Sequence, residues 1–185
     1  ACGTDKGTDG NSDSMGANCH YGYTEFYDSY FQKFKELDRK IYILEIGVFH
    51  GHSLQMYNDF FGSENCEIYG LDIDDKSEYN TENIHTFIVD QTNINQLNDF
   101  KEKMHNEGIT FDIILDDGCH MSEAQLITLM TFQNLIKPNG VYIIEDLYTN
   151  WIEFYNNPVG FYIFSTLTFL MTLRYRYPLN IDDYY

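Results

Sequence analysis

Basic residues are scarce in this sequence of 185 residues. Eleven Lys and Arg side chains stand against 29 Asp and Glu, so the formal net charge is −18. A surface this negative repels the phosphates of nucleic acids and the anionic lipids of membranes. We therefore expect neither nucleic acid nor a membrane as a partner. We expect the substrate to be a neutral or cationic small molecule, or one whose reaction is assisted by a metal ion.

The cysteines form no recognisable pairs. There are four of them, and no CxxC spacing occurs: Cys2, Cys19, Cys66 and Cys119. This pattern argues against a structural zinc site and against a dense disulfide framework. We interpret the four side chains as free thiols in a reducing compartment, which predicts a cytoplasmic protein.

No apolar run is long enough for a membrane-spanning helix. The most apolar stretch, residues 159–173, contains Ser and Thr side chains and falls short of the roughly 18 to 20 residues that a span requires. We predict a buried helix there, or one that contacts a second copy in a homo-oligomer.

The chain divides into three segments. Residues 1–22 are rich in Gly, Asp, Ser and Asn, a composition that predicts a flexible lead or lid. The remainder divides into a folded domain, residues 23–158, and an apolar helix with an aromatic and acidic tail of the same domain, residues 159–185.

Short apolar segments alternate with amphipathic ones. The predicted strands are residues 41–47, 66–72, 86–89, 111–116 and 141–144, and the predicted helices are residues 24–34, 54–61, 93–106 and 122–136, with a turn at 137–140. This alternation predicts an α/β fold, a Rossmann-like doubly wound and mainly parallel sheet with helices on both faces. Such sheets usually continue beyond a fifth strand, so we expect either that the carboxyl-terminal strands are missing or that the chain finishes in an unusual way.

Every predicted strand ends in a carboxylate or in a turn that contains glycine. These ends are Glu45-Ile46-Gly47, Asp72, Asp90, Asp116-Asp117 and Glu145-Asp146. Because parallel strands bring their carboxyl ends to one edge of a sheet, the sequence predicts a ligand site at that edge.

At the end of the fourth strand, two carboxylates and a histidine lie within five positions: Asp116, Asp117 and His120. A functional site is one interpretation. The other is an ordinary helix start, with Asp117 as its cap and His120 in solvent. The position at a strand end favours the functional interpretation.

The turn after the first strand contains Gly47 and Gly51, but not at the G-x-G-x-x-G spacing. This disfavours a pyrophosphate cradle. The two glycines still let a ligand approach the backbone, and the amino end of the next helix favours a carboxylate. Asp72 ends the second strand, where it can accept hydrogen bonds from a ribose diol. These features suit an adenosine-bearing ligand with a carboxylate in place of phosphates.

The sequence resembles a known enzyme family over roughly residues 4–155. Residues 44–48 with Gly51, Ser53 and Leu54, followed by residues 70–74, resemble class I S-adenosylmethionine-dependent methyltransferases. Asp90-Gln91, residues 111–120 and residues 139–147 narrow the resemblance to the metal-dependent macrolide sugar O-methyltransferases and the related cephalosporin-hydroxylase-like group.

The resemblance implies a magnesium-assisted O-methyltransferase that acts on a hydroxyl of a sugar or small natural product. It assigns Asp117 and Asp146 as Mg²⁺ ligands and His120 as the general base. A glutamate completes the family's metal site, and Glu45 and Glu145 both remain open for that role. The residues expected to contact S-adenosylmethionine are Glu45, Gly47, Gly51, Ser53, Asp72, Asp90, Gln91 and Asp116. Where the family usually has Ser, this chain has Cys119.

The chemistry of these residues agrees with the resemblance. Mg²⁺ prefers carboxylate oxygens, and a divalent ion lowers the pKa of a coordinating hydroxyl, whose proton a histidine can then take. Two rival hypotheses remain. A non-catalytic relative would bind S-adenosylmethionine or a nucleoside without reacting, and a nicotinamide-dependent oxidoreductase is opposed by the missing third glycine.

Overall fold

A computed structural model describes residues 23–147 of the chain. Its helices are α1 (Tyr23–Lys35), α2 (His52–Phe61), α3 (Ile94–Asn106) and α4 (Ser122–Phe132), and its strands are β1 (Ile41–Ile46), β2 (Cys66–Asp72), β3 (Ile84–Ile88), β4 (Phe111–Asp116) and β5 (Ile136–Ile144). Two short 3₁₀ helices lie at Ser77–Tyr79 and Gln133–Leu135. The predictions for the lead and for the apolar tail helix lie outside the described residues.

The five strands form one parallel sheet in the order β3-β2-β1-β4-β5. The predicted Rossmann-like architecture is therefore confirmed. Strand order reverses between β1 and β4, and ligands of doubly wound sheets bind in the crevice outside the carboxyl ends of the strands at such a point.

Side chains that alternate along the strands supply two cores. On one face Ile43 of β1 packs in the cluster beneath α1 and α2, together with Leu54. On the other face Leu44 packs beneath α3 and α4, together with Leu97 and Phe132. Because both faces of β1 are buried, its sequence is a nearly continuous apolar run. Glu45, which is also fully buried, is the exception.

Asp112 anchors the amino-terminal end of β4. Its carboxylate accepts two hydrogen bonds from Arg39, at 3.0 and 2.6 Å. It also accepts one from Lys137 at 2.8 Å and one from the Tyr42 backbone amide at 2.9 Å. Burial alone would raise the pKa of Asp112, but the two cations and the amide outweigh it and lower that pKa. This carboxylate lies at the opposite end of β4 from Asp116, so its role is to stabilise the fold.

Several predicted boundaries were wrong, including the start of α2, which lies at His52 instead of residue 54. β3 begins at Ile84 instead of residue 86 and ends at Ile88, because Ile84 is already buried and paired with Ile68. The helix predicted to reach residue 136 ends at Phe132 and continues only as a 3₁₀ turn. Residues 137–140 are not a separate turn. They form an irregularity inside β5, since Phe111 pairs with Ile136 and Ile113 with Val141.

The structure describes two of the four cysteines. Cys66 is buried and Cys119 is exposed, and both are free thiols. Cys2 and Cys19 lie outside the described residues. Between residues 23 and 147, none of the helices has the length and apolar character needed to cross a bilayer.

Candidate functional site

Asp117, His120 and Asp146 meet at the carboxyl edge of the sheet. His120 Nε2 lies 3.9 Å from Asp117 Oδ1 and 3.7 Å from Asp146 Oδ2. One donor atom from each of the three side chains lies within 4.8 Å of the other two. All three side chains are partly buried, with exposed fractions of 31%, 22% and 19% for His120, Asp117 and Asp146. Residues 117 and 146 come from the ends of adjacent strands, β4 and β5, as predicted from the parallel topology.

Two of these three residues have unusual backbone conformations. His120 has φ 56° and Asp146 has φ 54°, in the left-handed region that side chains with a β-carbon rarely adopt. Such a conformation costs roughly 1–2 kcal/mol per residue, and residues held in it concentrate at active sites and ligand clamps. The packing around the site therefore maintains His120 and Asp146 in place against this cost.

The donor set suits a hard divalent cation. Two carboxylates from different loops converge, and oxygen ligands of this kind are the ones that Mg²⁺ prefers. The imidazole of His120 faces the same point, so it can serve either as a third donor or as a base beside the ion. The geometry thus fits the predicted ligands Asp117 and Asp146, and it puts the predicted base next to them.

The two candidate glutamates both hydrogen-bond to hydroxyl groups on neighbouring helices. Glu45 accepts from Ser53 Oγ at 2.6 Å and from the Tyr57 hydroxyl at 3.4 Å. Glu145 accepts from the Tyr27 hydroxyl of α1. Neither glutamate belongs to the group formed by Asp117, His120 and Asp146 in the described part of the chain.

Sequence reasoning did not single out Tyr27 and Tyr57. A tyrosine on the buried face of a helix is typical of ordinary core, and nothing in the local sequence distinguishes these two. In the structure, burial raises the pKa of Tyr57 well above its usual value, and the neighbouring Glu45 raises it further. Tyr57 therefore remains a neutral hydrogen-bond donor to Glu45.

Asp72 organises the turn after β1. Its Oδ2 accepts the Val48 amide at 3.0 Å and the Phe49 amide at 2.9 Å, and its Oδ1 accepts the Asp74 amide at 2.9 Å. The carboxylate therefore joins the ends of β1 and β2, beside the crevice where the sheet order reverses. Its predicted contact with a ribose remains a prediction.

The two glycines of this turn are required by contacts within the chain. Gly47 has φ 90°, and a β-carbon there would stand 2.2 Å from the Asp117 carbonyl oxygen. Gly51 has φ 68°, and a β-carbon there would stand 2.8 Å from the ring of Tyr79. We expected a ligand to lie close to these two glycines. In the structure, other parts of the protein, Asp117 and Tyr79, lie there. The roles of the two glycines as cofactor contacts remain predictions.

Asp90 and Gln91 follow β3 and behave differently. Asp90 Oδ1 accepts the amide and the hydroxyl of Thr92, at 2.8 and 2.7 Å, and these bonds lower the pKa of Asp90. Gln91 instead lies buried and donates to both carboxylate oxygens of Asp116, at 2.7 and 2.9 Å. Asp90 therefore stabilises a local turn, whereas Gln91 connects β3 to β4.

Asp116 is a fully buried carboxyl. Burial raises its pKa to about 7, and the charge of Asp117 adds to that rise, while hydrogen bonds from Gln91 and the Gly118 amide oppose it. The hydroxyl of Tyr142, which is also buried, has a pKa raised well above its usual value by burial and by Asp116. Asp116 is therefore part of a buried polar network beneath the cluster of Asp117, His120 and Asp146.

Comparison with known proteins identifies a family. Residues 44–147 match the family described as "Methyltransferase domain". The 8-demethyl-8-alpha-L-rhamnosyl tetracenomycin-C 2'-O-methyltransferase of Streptomyces olivaceus is 32% identical over 136 residues, which are 70% of this chain and 34% of that protein. The demethylmacrocin O-methyltransferase of Streptomyces fradiae is 33% identical over 134 residues, 69% of this chain and 32% of that protein.

A solved structure shares both fold and sequence. The MycE methyltransferase from the mycinamycin biosynthetic pathway, in complex with Mg, SAH and mycinamycin VI, superposes with a TM-score of 0.70 at 30% identity. The match covers 83% of this chain and 42% of that protein. The chain thus spans about a third of the length of the curated relatives that it matches, and less than half of the solved one.

Proposed function

The chain belongs to the methyltransferase-domain family, and from this premise we propose that it transfers the methyl group of S-adenosylmethionine to a sugar hydroxyl of a small natural product, with Mg²⁺ assistance. Two of its relatives are named as O-methyltransferases of a rhamnosylated and of a macrolide-type compound. A third is described in complex with Mg, SAH and mycinamycin VI. These names support the proposed donor, ion and class of acceptor.

The observation that carries the proposal is the convergence of Asp117, His120 and Asp146 within 4.8 Å at the carboxyl edge. The edge adjoins the crevice at the β1/β4 reversal, where doubly wound sheets bind their ligands. A cofactor in that crevice would lie beside the three side chains. A protein that only binds the cofactor does not need two carboxylates and a histidine at this position, so the cluster favours a catalytic function over cofactor binding alone.

Asp117 and Asp146 would hold Mg²⁺, since they supply two carboxylates that face one point. When bound, the ion lowers the pKa of a coordinating hydroxyl, which is otherwise a poor nucleophile at neutral pH. No basic side chain is needed at the methyl donor, because its sulfonium group is itself positive. The negative formal charge of the chain suits such a cationic donor.

His120 would take the proton of the acceptor hydroxyl. As the hydroxyl oxygen forms its bond to the methyl carbon, the bond between that carbon and sulfur breaks, and the proton passes to the imidazole. Histidine is the side chain that most often serves as a general base in enzymes. The left-handed backbone at His120 keeps its ring directed at the two carboxylates, so positioning contributes as well as basicity.

The cofactor would occupy the crevice formed by the ends of β1, β2 and β3. We propose that Asp72 contacts the ribose and that the turn from Gly47 to Gly51 faces the amino acid portion of the donor. Residues 23–158 would form the catalytic domain, and the cytoplasm, with its reduced thiols, would be the setting. The acceptor, a sugar-bearing small molecule, would approach the side of the cluster opposite the buried Asp116.

A methyl-transfer assay tests this proposal. The chain is incubated with isotopically labelled S-adenosylmethionine and a panel of glycosylated polyketides, with Mg²⁺ or with EDTA. We expect label in a methoxy group of one sugar, lost in EDTA and restored by Mg²⁺. Transfer that is indifferent to EDTA would contradict the metal role. Cofactor binding without transfer to any sugar in the panel would favour the non-catalytic relative.

A further inference from the structure

Gln91 connects two parts of the loop that carries the site residues. Its Nε2 donates to both oxygens of Asp116, at 2.7 and 2.9 Å, and its Oε1 accepts the backbone amide of Cys119 at 2.9 Å. The side chain is only 7% exposed. We call these contacts the Gln91 bridge, which consists of Gln91, Asp116 and the Cys119 amide. Both ends of the amide group are engaged, one on each side of Asp117.

The chain between the two ends of the bridge fits tightly around it. A β-carbon at Gly118 would stand 2.1 Å from Gln91 Oε1 and 3.2 Å from Ile46. Gly118 also directs its amide towards Asp116 Oδ1 at 3.4 Å. The loop can therefore wrap around the Gln91 side chain only because residue 118 has no side chain of its own.

The loop is fixed on its other side by β1. Asp117 donates its backbone amide to Ile46 O at 2.9 Å, and its carbonyl lies against Gly47. His120, the residue after the bridged Cys119, has the left-handed backbone described above. The hydrogen bond to β1 therefore fixes the backbone at Asp117, and the Gln91 bridge fixes it at Cys119, immediately before His120.

We propose that Gln91 is a positioning residue, which sets the directions of Asp117 and His120 through the Gln91 bridge. What those two side chains do rests on the proposed function. The role differs from the cofactor contact that the sequence resemblance implied for Gln91. Partners that orient metal ligands typically change metal affinity or activity by 10- to 100-fold when they are removed.

An exchange of the two bridging residues tests the proposal. In Gln91→Glu, measured above pH 7 where the Asp116 carboxyl is ionised, one carboxylate oxygen can still accept the Cys119 amide, but the other faces the Asp116 carboxylate. In the double variant Gln91→Glu with Asp116→Asn, the side-chain amide introduced at position 116 would donate to the carboxylate introduced at position 91, so the bridge would be restored with its polarity reversed. A matched surface control is Gln55→Glu, because Gln55 donates to Asp59 at 2.7 Å in an exposed pair on α2.

Three quantities are measured on each folded variant: amide hydrogen exchange of the peptide that contains Cys119, Mn²⁺ affinity, and S-adenosylhomocysteine affinity. For Gln91→Glu we expect exchange of the Cys119 amide and the Mn²⁺ Kd each to rise about 10-fold or more, with the S-adenosylhomocysteine Kd within about threefold. In the double variant, Cys119 amide exchange and the Mn²⁺ Kd should both return most of the way to their wild-type values. Gln55→Glu should match the wild type. If Gln91→Glu does not fold, Gln91→Met, which keeps the length and removes both contacts, replaces it.

Two results would overturn the proposal. One is unchanged exchange and Mn²⁺ affinity in Gln91→Glu or Gln91→Met. The other is a loss confined to S-adenosylhomocysteine affinity, which would make Gln91 a cofactor contact. Failure of the proposed function is distinguishable, because there the wild-type chain itself binds no Mn²⁺. In that case the exchange comparison alone decides whether the bridge orders the loop.

Discussion

The carbonyl oxygen of Asp117 lies 2.2 Å from the point where a β-carbon on Gly47 would stand. The turn that leaves β1 and the loop that leaves β4 are therefore in direct backbone contact, with no space for a side chain between them. Gly47, which we propose contacts the cofactor, therefore packs directly against Asp117, which we propose binds the metal ion, so a movement of one must displace the other.

Replacing Gly47 by Ala should disturb both the proposed cofactor site at the end of β1 and the proposed metal site at Asp117. The variant must move the Asp117 backbone and also adopt φ 90° with a β-carbon present. The control is Gly108→Ala, since Gly108 has φ 68° but no atom within 4 Å of the point where its β-carbon would stand. The control should lose about 1–2 kcal/mol from backbone strain alone. Gly47→Ala should lose at least about 1 kcal/mol more in urea unfolding, together with Mn²⁺ affinity. Equal losses in the two variants would contradict the close contact.

His120→Ala should abolish methyl transfer while leaving cofactor binding nearly unchanged. Loss of a general base typically lowers kcat by about 100-fold or more. The S-adenosylhomocysteine Kd, measured by calorimetry, should stay within about threefold. His105→Ala, at an exposed position near the end of α3, serves as the control and should retain full activity. A large loss of cofactor affinity in His120→Ala would show that His120 serves the cofactor instead.

Asp116 should make the folded state less stable as the pH rises. Its pKa rises from 3.8 to about 7 on folding, so the folded state holds the proton more tightly than the unfolded state does. Its contribution is fully favourable below about pH 4 and is lost as the pH rises to about 7, on the order of 4 kcal/mol in all. Relative to Asp116→Asn, the wild type should therefore lose stability across this range in urea titrations with EDTA. A difference that is constant with pH would contradict the raised pKa.

Asp112 should show the opposite pH dependence. Although burial opposes ionisation, Arg39 and Lys137 lower the pKa of this carboxyl, so its stabilisation is present above the ordinary pKa of 3.8 and is lost as the pH falls below it. Because Arg39 is 44% exposed, we expect Asp112→Asn to cost only about 1–3 kcal/mol at pH 7. The cost should shrink at pH 3, while S-adenosylhomocysteine affinity at pH 7 stays unchanged. A loss of cofactor affinity in the folded variant would contradict a purely structural role.

The sheet was predictable because its strands are buried on both faces. Continuous apolar runs at β1, β2 and β4 predicted nearly correct limits, and alternation with helices predicted the parallel topology. The failures fall where burial is one-sided or the backbone is irregular. β5 bulges at residues 137–140, and a turn signal from Pro138 and Asn139 cannot be told apart from a bulge without knowledge of the pairing partner, Phe111.

The candidate site was predictable as a set of residue types at strand ends, but its internal contacts were not. Parallel topology suffices to bring Asp117 near Asp146. The Gln91 bridge depends on a side chain that crosses from β3 to β4, and the bond from Tyr27 to Glu145 joins residues 118 positions apart. Such partners follow only from three-dimensional packing, which local sequence does not encode.

Calorimetric titration of the wild-type chain with S-adenosylhomocysteine, with and without Mg²⁺, tests the central proposal most directly. We expect cofactor binding in both conditions and a separate Mg²⁺ heat that disappears in Asp117→Ala. The control Asp74→Ala removes a carboxylate that is 79% exposed and should keep that heat. Cofactor binding with no Mg²⁺ response would contradict the metal site and favour a non-catalytic relative. Absence of any cofactor binding would contradict the proposed methyl transfer itself.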